Sequence, residues 1–203
     1  NSYRYRNSRK FKLVTKKVWF NKFLVSPTNL NLTFATSGAK TISIGGSGII
    51  TLNGNNIVLP ITDYSVTLAE TTLNILGGTP TSIKVTNSDL MEFSGTDKGT
   101  INTLELYNNQ ITNISLSGFN ALQKLILHGN TAYVSDTAKL TALANCLPNR
   151  NGKQWGSIVI GNLDTLNVRS AESNFLTKDW MFGSALIYDS TELAKIDDKL
   201  IQA

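Results

Sequence analysis

Cysteine is nearly missing from this sequence: Cys146 stands alone. A single thiol excludes an intramolecular disulfide and any paired-cysteine metal site, so zinc and dithiol redox chemistry are not expected. Histidine is as scarce, with His128 the sole imidazole. Any serine–histidine–aspartate or cysteine–histidine arrangement would have to use that one ring. Charged residues make up only 16% of the 203 positions and hydrophobic ones 41%, which is enough apolar material for one real core or two small ones. A globular chain is expected. No apolar run approaches the roughly 18 residues that cross a bilayer, and no charged start followed by an apolar stretch marks a signal peptide.

Acidic residues are missing from the first 62 positions: the first is Asp63, and nine bases precede it. The remainder carries 10 bases against 14 acids, so the net charge of +5 hides a segregation along the chain. The opening "NSYRYRNSRKFKLVTKKVWFNKF" sets Arg4, Arg6, Arg9, Lys10, Lys12, Lys16 and Lys17 among Tyr3, Tyr5, Phe11, Trp19, Phe20 and Phe23. Such a mixture suits docking into a groove, onto nucleic acid or anionic lipid, or onto an acidic protein surface. Residues 1–29 therefore read as a basic aromatic anchoring arm. Within it "FKLVTKKVWF" reads equally well as one amphipathic strand with a solvated lysine face.

Residues 30–79 are a succession of short strand signals, "LNLTF", "KTISI", "GIITL", "NIVLP", "YSVTL" and "TTLNIL", separated by "SGA", "GGSG", "NGNN" and "GG". This punctuation fits a small sandwich, or a sheet that caps the C-terminal remainder of the chain. "GGSG" at 45–48 has no Gly-Lys-Ser/Thr after it and no helix start, so it reads as a tight turn and not a phosphate loop.

From about residue 80 the chain repeats itself. An offset of 21 places Ile83, Val85, Ser88, Leu90 and Phe93 on Leu104, Leu106, Asn109, Ile111 and Ile114, then on Leu125, Leu127 and Asn130. The pattern is mechanical: two apolar side chains point inward from a short strand, and an asparagine satisfies backbone groups at the turn. Ile158 and Ile160 of "SIVIGNLDTL" repeat the inward pair. Before them "DTAKLTALANCL" places Leu140, Leu143, Ala144 and Leu147 at helical spacing, with Asp136 or Thr137 as cap and Pro148 after the stop. "SAESNFLTKDW" reads as a second helical return before the strand "ALIY", with Leu186 and Tyr188. "STELAKIDDKLIQA" reads as a closing helix with Leu193, Ile196 and Leu200 buried.

"INTLELYNNQITNISL" and "LQKLILHGN", and more faintly "SIKVTNSDL", resemble the irregular leucine-rich repeats of bacterial surface proteins and bacteriophage virion proteins, over roughly residues 80–190. With the strand signals before it, the chain is expected to be mainly β with some α. A β-rich N-terminal region or cap (30–79) would precede a short leucine-rich-repeat-like solenoid with helical returns and a C-terminal capping helix (80–203). The resemblance implies a virion component, such as a capsid-associated, vertex or spike protein. A bacterial cell-surface module that binds protein or glycan is the alternative.

Candidate chemistry is sparse. His128 lies on a repeating strand beside the turn asparagine, a place more typical of an exposed strand residue than of a general base. The pairs Asp197–Asp198 and Asp189–Glu192 sit at helix positions where acids are normally solvated or complement the dipole. No catalytic residue, metal, cofactor or small-molecule substrate is expected. If Leu104 and Leu106 face inward, Thr103, Glu105 and Tyr107 face outward. One outward column runs Lys84, Glu105, Ile126, Val159, Ile187, and the next Thr86, Tyr107, His128, Gly161, Asp189. Ile126, Val159 and Ile187 would form an apolar patch needing a cover: another copy, a different protein, or the chain's own β-rich N-terminal half, ranked first. In the interaction reading Tyr107 anchors a partner beside His128.

Overall fold

The computed structural model describes residues 27–161 and 166–184. Most of the expected arm lies outside the described residues. So do Leu186, Ile187, Tyr188, the acids at 189, 192, 197 and 198, and the closing helix.

Alternation of apolar and polar residues decides the first strands. In β1 (Asn29–Phe34) Leu30, Leu32 and Phe34 are buried while their neighbours face away. There follow β2 (Gly38–Leu52), β3 (Asn55–Val58), β4 (Ile61–Leu68), β5 (Thr72–Lys84) and β6 (Leu90–Thr96). Shorter strands β7 (Thr103–Glu105), β8 (Asn113–Ser117) and β9 (Lys124–Ile126) precede helices α1 (Thr131–Val134) and α2 (Thr137–Cys146). The described chain ends with β10 (Gly156–Gly161), α3 (Leu166–Leu176) and β11 (Trp180–Ser184).

All eleven strands among the described residues join one mixed sheet in the order β11-β10-β9-β7-β5-β1-β6-β8, with β2 along β5 and carrying β3 and β4. The sheet curls into a half-barrel, and β5 is where it turns. Its first half pairs antiparallel with β1 and its second half pairs parallel with β7. Gly77 and Gly78 make the bend: at Gly78 φ is +60° and a Cβ would press on the buried Ile50 side chain, so only glycine fits.

This architecture corrects the expectation of a β region followed by a solenoid with helical returns. The connections between β5, β7 and β9 are the strands β6 and β8, themselves paired in parallel with Phe93 opposite Ile114. "LMEFSGT" and "NISLS" are short, alternate in burial and are rich in residues that favour a pleat, so they cannot supply the turns a helix needs. β1 then inserts antiparallel between β5 and β6 and binds the N-terminal strands into the same sheet. Two local expectations change as well. Gly45–Gly48 lies within β2, at bulges opposite β5, and is not a turn. Trp180, read as the end of a helix, opens strand β11 and is fully buried.

The 21-residue offset reappears as pairing register. Ile83 opposes Leu104, Leu104 opposes Leu125, Leu125 opposes Ile158 and Ile158 opposes Phe182, a row of side chains one strand apart. Leu104, Leu125 and Ile158 are fully buried, each worth about 1.5–3 kcal/mol of transfer free energy. Two asparagines fasten the turns. The Asn109 amide nitrogen donates to the Val85, Leu106 and Tyr107 carbonyls at 2.8, 3.1 and 3.2 Å. Its oxygen accepts from the Ser88 and Leu90 backbone N–H groups. Asn130, fully buried, donates to the Leu106 and Leu127 carbonyls at 2.8 and 2.7 Å and accepts from Ile111 N–H at 3.0 Å. On the other side, helix α2 packs Leu140, Leu143 and Ala144 inward and is capped by Asp136, whose carboxylate accepts from the Ala138 and Lys139 N–H groups.

Lys40 is 7% exposed and its ammonium meets Asp89 Oδ1 at 2.6 Å. Burial raises the Asp89 pKa, but the Lys40 and Thr36 hydrogen bonds and the Lys40 charge outweigh it and leave the group below its ordinary 3.8.

Two outcomes are expected from these contacts. Asn130→Ala leaves buried backbone groups without partners and should cost about 3 kcal/mol in chemical denaturation, with Asn130→Asp no better because it lacks the donors. A loss under about 1 kcal/mol would show that the amide is not what ties the turns. For Asp89→Asn, the folded pKa of the native acid is depressed, so its contribution is full above the unfolded value and fades as pH falls through the folded one. The variant should be about 2 kcal/mol less stable at pH 7 and converge with the native chain in acid; a gap that persists there would rule out the ion pair as its cause.

Candidate functional site

The face of the β5-β7-β9-β10 ladder turned away from the core holds the sequence-derived residues. Pairing aligns Lys84 with Glu105, Glu105 with Ile126 and Ile126 with Val159. The row continues to Gly183 and not to Ile187, because β11 starts earlier than the sequence suggested; Ile187 lies outside the described residues. Ile126 and Val159 are 2% and 1% exposed, yet neither belongs to the interior cluster. The N-terminal strands meet the ladder edge to edge, through β2–β5 and β1–β5 pairing, and so widen the sheet.

In the neighbouring column Tyr107 and His128 stack, ring centroids 4.7 Å apart and planes within 10°. Loss of hydration on burial lowers the His128 pKa from its ordinary value and so favours the neutral ring. A neutral imidazole lying flat on a phenol makes a continuous aromatic plate at the C-terminal end of the strands. Cys146 is unsuited to nucleophilic work: its thiol donates to the Ala142 and Leu143 carbonyls, and burial raises its pKa.

The opposite end of the same face carries a site that the sequence pattern did not reveal. A groove of about 570 Å³ runs over the start of the strands, lined by Asn102, Thr103, Glu105, Gln123, Gln154 and Trp155 among others. A second hollow of about 550 Å³ shares Asn102, Gln123 and Gln154 and ends at Arg150 and Lys153. The signal was present at the foot of each rung, within β5 and one position before β7 and β9. Thr81, Asn102 and Gln123 stand 21 residues apart, and their backbones are bonded in series: Asn102 N–H to Thr81 O at 2.8 Å, Gln123 N–H to Asn102 O at 2.8 Å.

The loop that carries Trp155 is tied down from below. Arg150, 3% exposed, donates from Nε to the Gln154 carbonyl at 3.0 Å and from Nη1 to the Leu122 carbonyl at 3.3 Å. Gly156 lies flat against the buried Trp180 indole, where a Cβ has no room. Trp180 Nε1–H donates to the Pro148 carbonyl at 2.8 Å, and Lys178 Nζ to the Asn145 and Leu147 carbonyls. Among the described residues no group of three or more His, Cys, Asp or Glu side chains could hold a metal, and no helix is long and apolar enough to cross a membrane.

As the only histidine, His128 should give one imidazole resonance in a proton NMR titration. Its midpoint should fall below 6.5, the direction burial dictates. A midpoint above 6.5 would mean that an acidic partner, and not desolvation, governs the ring.

Comparison with protein-family models, with curated proteins and with solved structures finds no match for this chain, so fold and site rest on geometry alone.

Proposed function

We propose that this chain is a non-enzymatic interaction protein, a structural component of a phage virion, held by its cationic aromatic segment at residues 1–29 and presenting the ladder face outward. The observation that carries the reading is the flat Tyr107–His128 plate on the outer side of the ladder, both rings half-buried. Ile126 and Val159 beside it are already shut off from solvent within the chain, so the contact surface is the plate and not the aliphatic row. A face of that kind is suited to contact with a macromolecule, and large rigid aromatics are the side chains that carry most binding energy at such surfaces. The charge pattern supports attachment at one end, since residues 1–29 hold eight bases and no acid. Its partners would be other structural proteins or copies of itself, with nucleic acid or anionic lipid as a further contact of the basic segment.

A bacterial cell-surface module is the second reading. The Trp155 groove favours it, because a polar trough with an exposed indole suits a ligand at a cell surface.

Gradient-purified particles and envelope fractions from cells that carry the gene separate the two. The full chain should co-sediment with particles at constant stoichiometry. A chain lacking residues 1–29 should stay folded by circular dichroism and lose at least about nine-tenths of that association, a change of about 1.4 kcal/mol. Recovery in the envelope alone would overturn the virion reading, and undiminished association of the shortened chain would overturn the anchoring role.

A further inference from the structure

We infer that the groove at the foot of the ladder is a binding site for a short oligosaccharide, with the Trp155 indole as the platform for a sugar ring. The assignment rests on the reading of the chain as an interaction protein, and adds the class of ligand.

The platform comes first. Trp155 is 42% exposed, so much of the indole is open to a ligand, and it lines the groove. Looseness of the loop does not account for the exposure. The loop's base is held by the Arg150 bonds to the Gln154 and Leu122 carbonyls. Backbone bonds from Arg150 N–H to Lys178 O at 3.0 Å and from Gly156 N–H to Asp179 O at 2.8 Å close both of its ends. An apolar plate fixed in the open is a preorganised surface, and little conformational entropy is lost when a ligand settles on it.

The lining selects the chemistry. Asn102, Gln123 and Gln154 each offer a carbonyl acceptor and an NH2 donor, and Glu105 adds a carboxylate acceptor. Thr103 Oγ1 donates to Asn102 Oδ1 at 2.9 Å, which fixes how that amide is turned. Sugar hydroxyls are donor and acceptor at once, and amides match both roles. An apolar ligand would want apolar walls. A phosphate would want a fork of cations or backbone N–H groups converging on one point. The cations here do not converge in that way: Lys124 lines the first groove and Lys153 the end of the second hollow, where they suit an acidic substituent on a sugar, while Arg150 is buried and bonded to backbone carbonyls. A peptide added as a strand would need an open sheet edge, whereas this groove lies across strands β5, β7, β9 and β10, all paired on both sides.

Shape points the same way. Thr81 in β5, and Asn102 and Gln123 immediately before β7 and β9, follow one another at about 4.8 Å, so their side chains form a regular row. The two hollows adjoin along Asn102, Gln123 and Gln154, which suits a ligand of more than one like unit.

Chitohexaose as a neutral probe and a hyaluronan hexasaccharide as an acidic one, titrated into the full chain by calorimetry and tryptophan fluorescence, test the site. At least one should bind saturably with a Kd below about 1 mM, and Trp155→Ala should weaken it about tenfold or more with an unchanged melting temperature. Gln123→Ala should weaken it by a smaller factor, and Trp155→Phe should retain part of the affinity. Failure of both probes to bind, or binding that Trp155→Ala leaves intact, would overturn the assignment. Particle co-sedimentation of the Trp155→Ala chain is read in parallel. Saccharide binding by a native chain that does not join particles sinks the virion reading alone, while particle association without saccharide binding sinks only this inference.

Discussion

The structure depends on side-chain amides doing what backbone cannot do at a turn. Asn109 and Asn130 each reach back to a carbonyl 24 residues earlier, Val85 and Leu106, and each accepts from an N–H 19 residues earlier, Leu90 and Ile111. One residue inserted or removed between them would break both bonds at once, which is why the spacing of 21 is held so strictly. Buried backbone groups with no partner are costly, and amides supply both a donor and an acceptor in one small side chain. With the turns stacked in this way, Leu104, Leu125 and Ile158 have no choice but to align, and so do the side chains on the outer face.

The strict spacing ends at Asn130. Its carbonyl accepts from Tyr133 N–H and the chain passes straight into helix, so the later returns are α2 and α3, packed on each other, in place of strands. The change of return alters the loop before β10. A long connection, residues 147–155, now hangs over the start of the ladder, and Trp180, Arg150 and Lys178 hold it there. The groove exists because the return lengthened at that point.

The ladder register was legible in the sequence, since apolar pairs 21 residues apart can face inward together in only one alignment, and the turn asparagines marked where each strand stops. The helix at Thr137–Cys146 was legible for the same kind of reason, with Asp136 before it and Pro148 after it. The fold as a whole was not. A local strand-and-turn pattern says nothing about what fills the return, and "NISLS" alternates equally well beside a helix or as strand β8. Nor does any local signal announce that β1 will wedge between β5 and β6, where Leu32 meets Leu73 on one side and Phe93 on the other, both far along the chain. Trp155 gave no signal because a lone tryptophan in a polar loop has no periodic partner. Its meaning comes from Asn102 and Gln123, which the fold brings beside it.

Division of labour along the repeat explains how one ladder can carry both stability and recognition. Asn109 and Asn130 are committed to the turns, and the inward leucines to the core, so neither set can change without loss of stability. Thr81, Asn102 and Gln123 contribute to the ladder through their backbones, which any non-proline residue supplies equally well. Their side chains can therefore be exchanged for other polar groups at little cost to stability, and the groove's selectivity can drift while the sheet beneath it stays fixed. Trp155 is different in kind, because its position is set by a buried guanidinium and an indole beneath the loop. A rigid platform beside an adjustable row of polar side chains is the arrangement that lets a binding surface change its ligand without changing its shape.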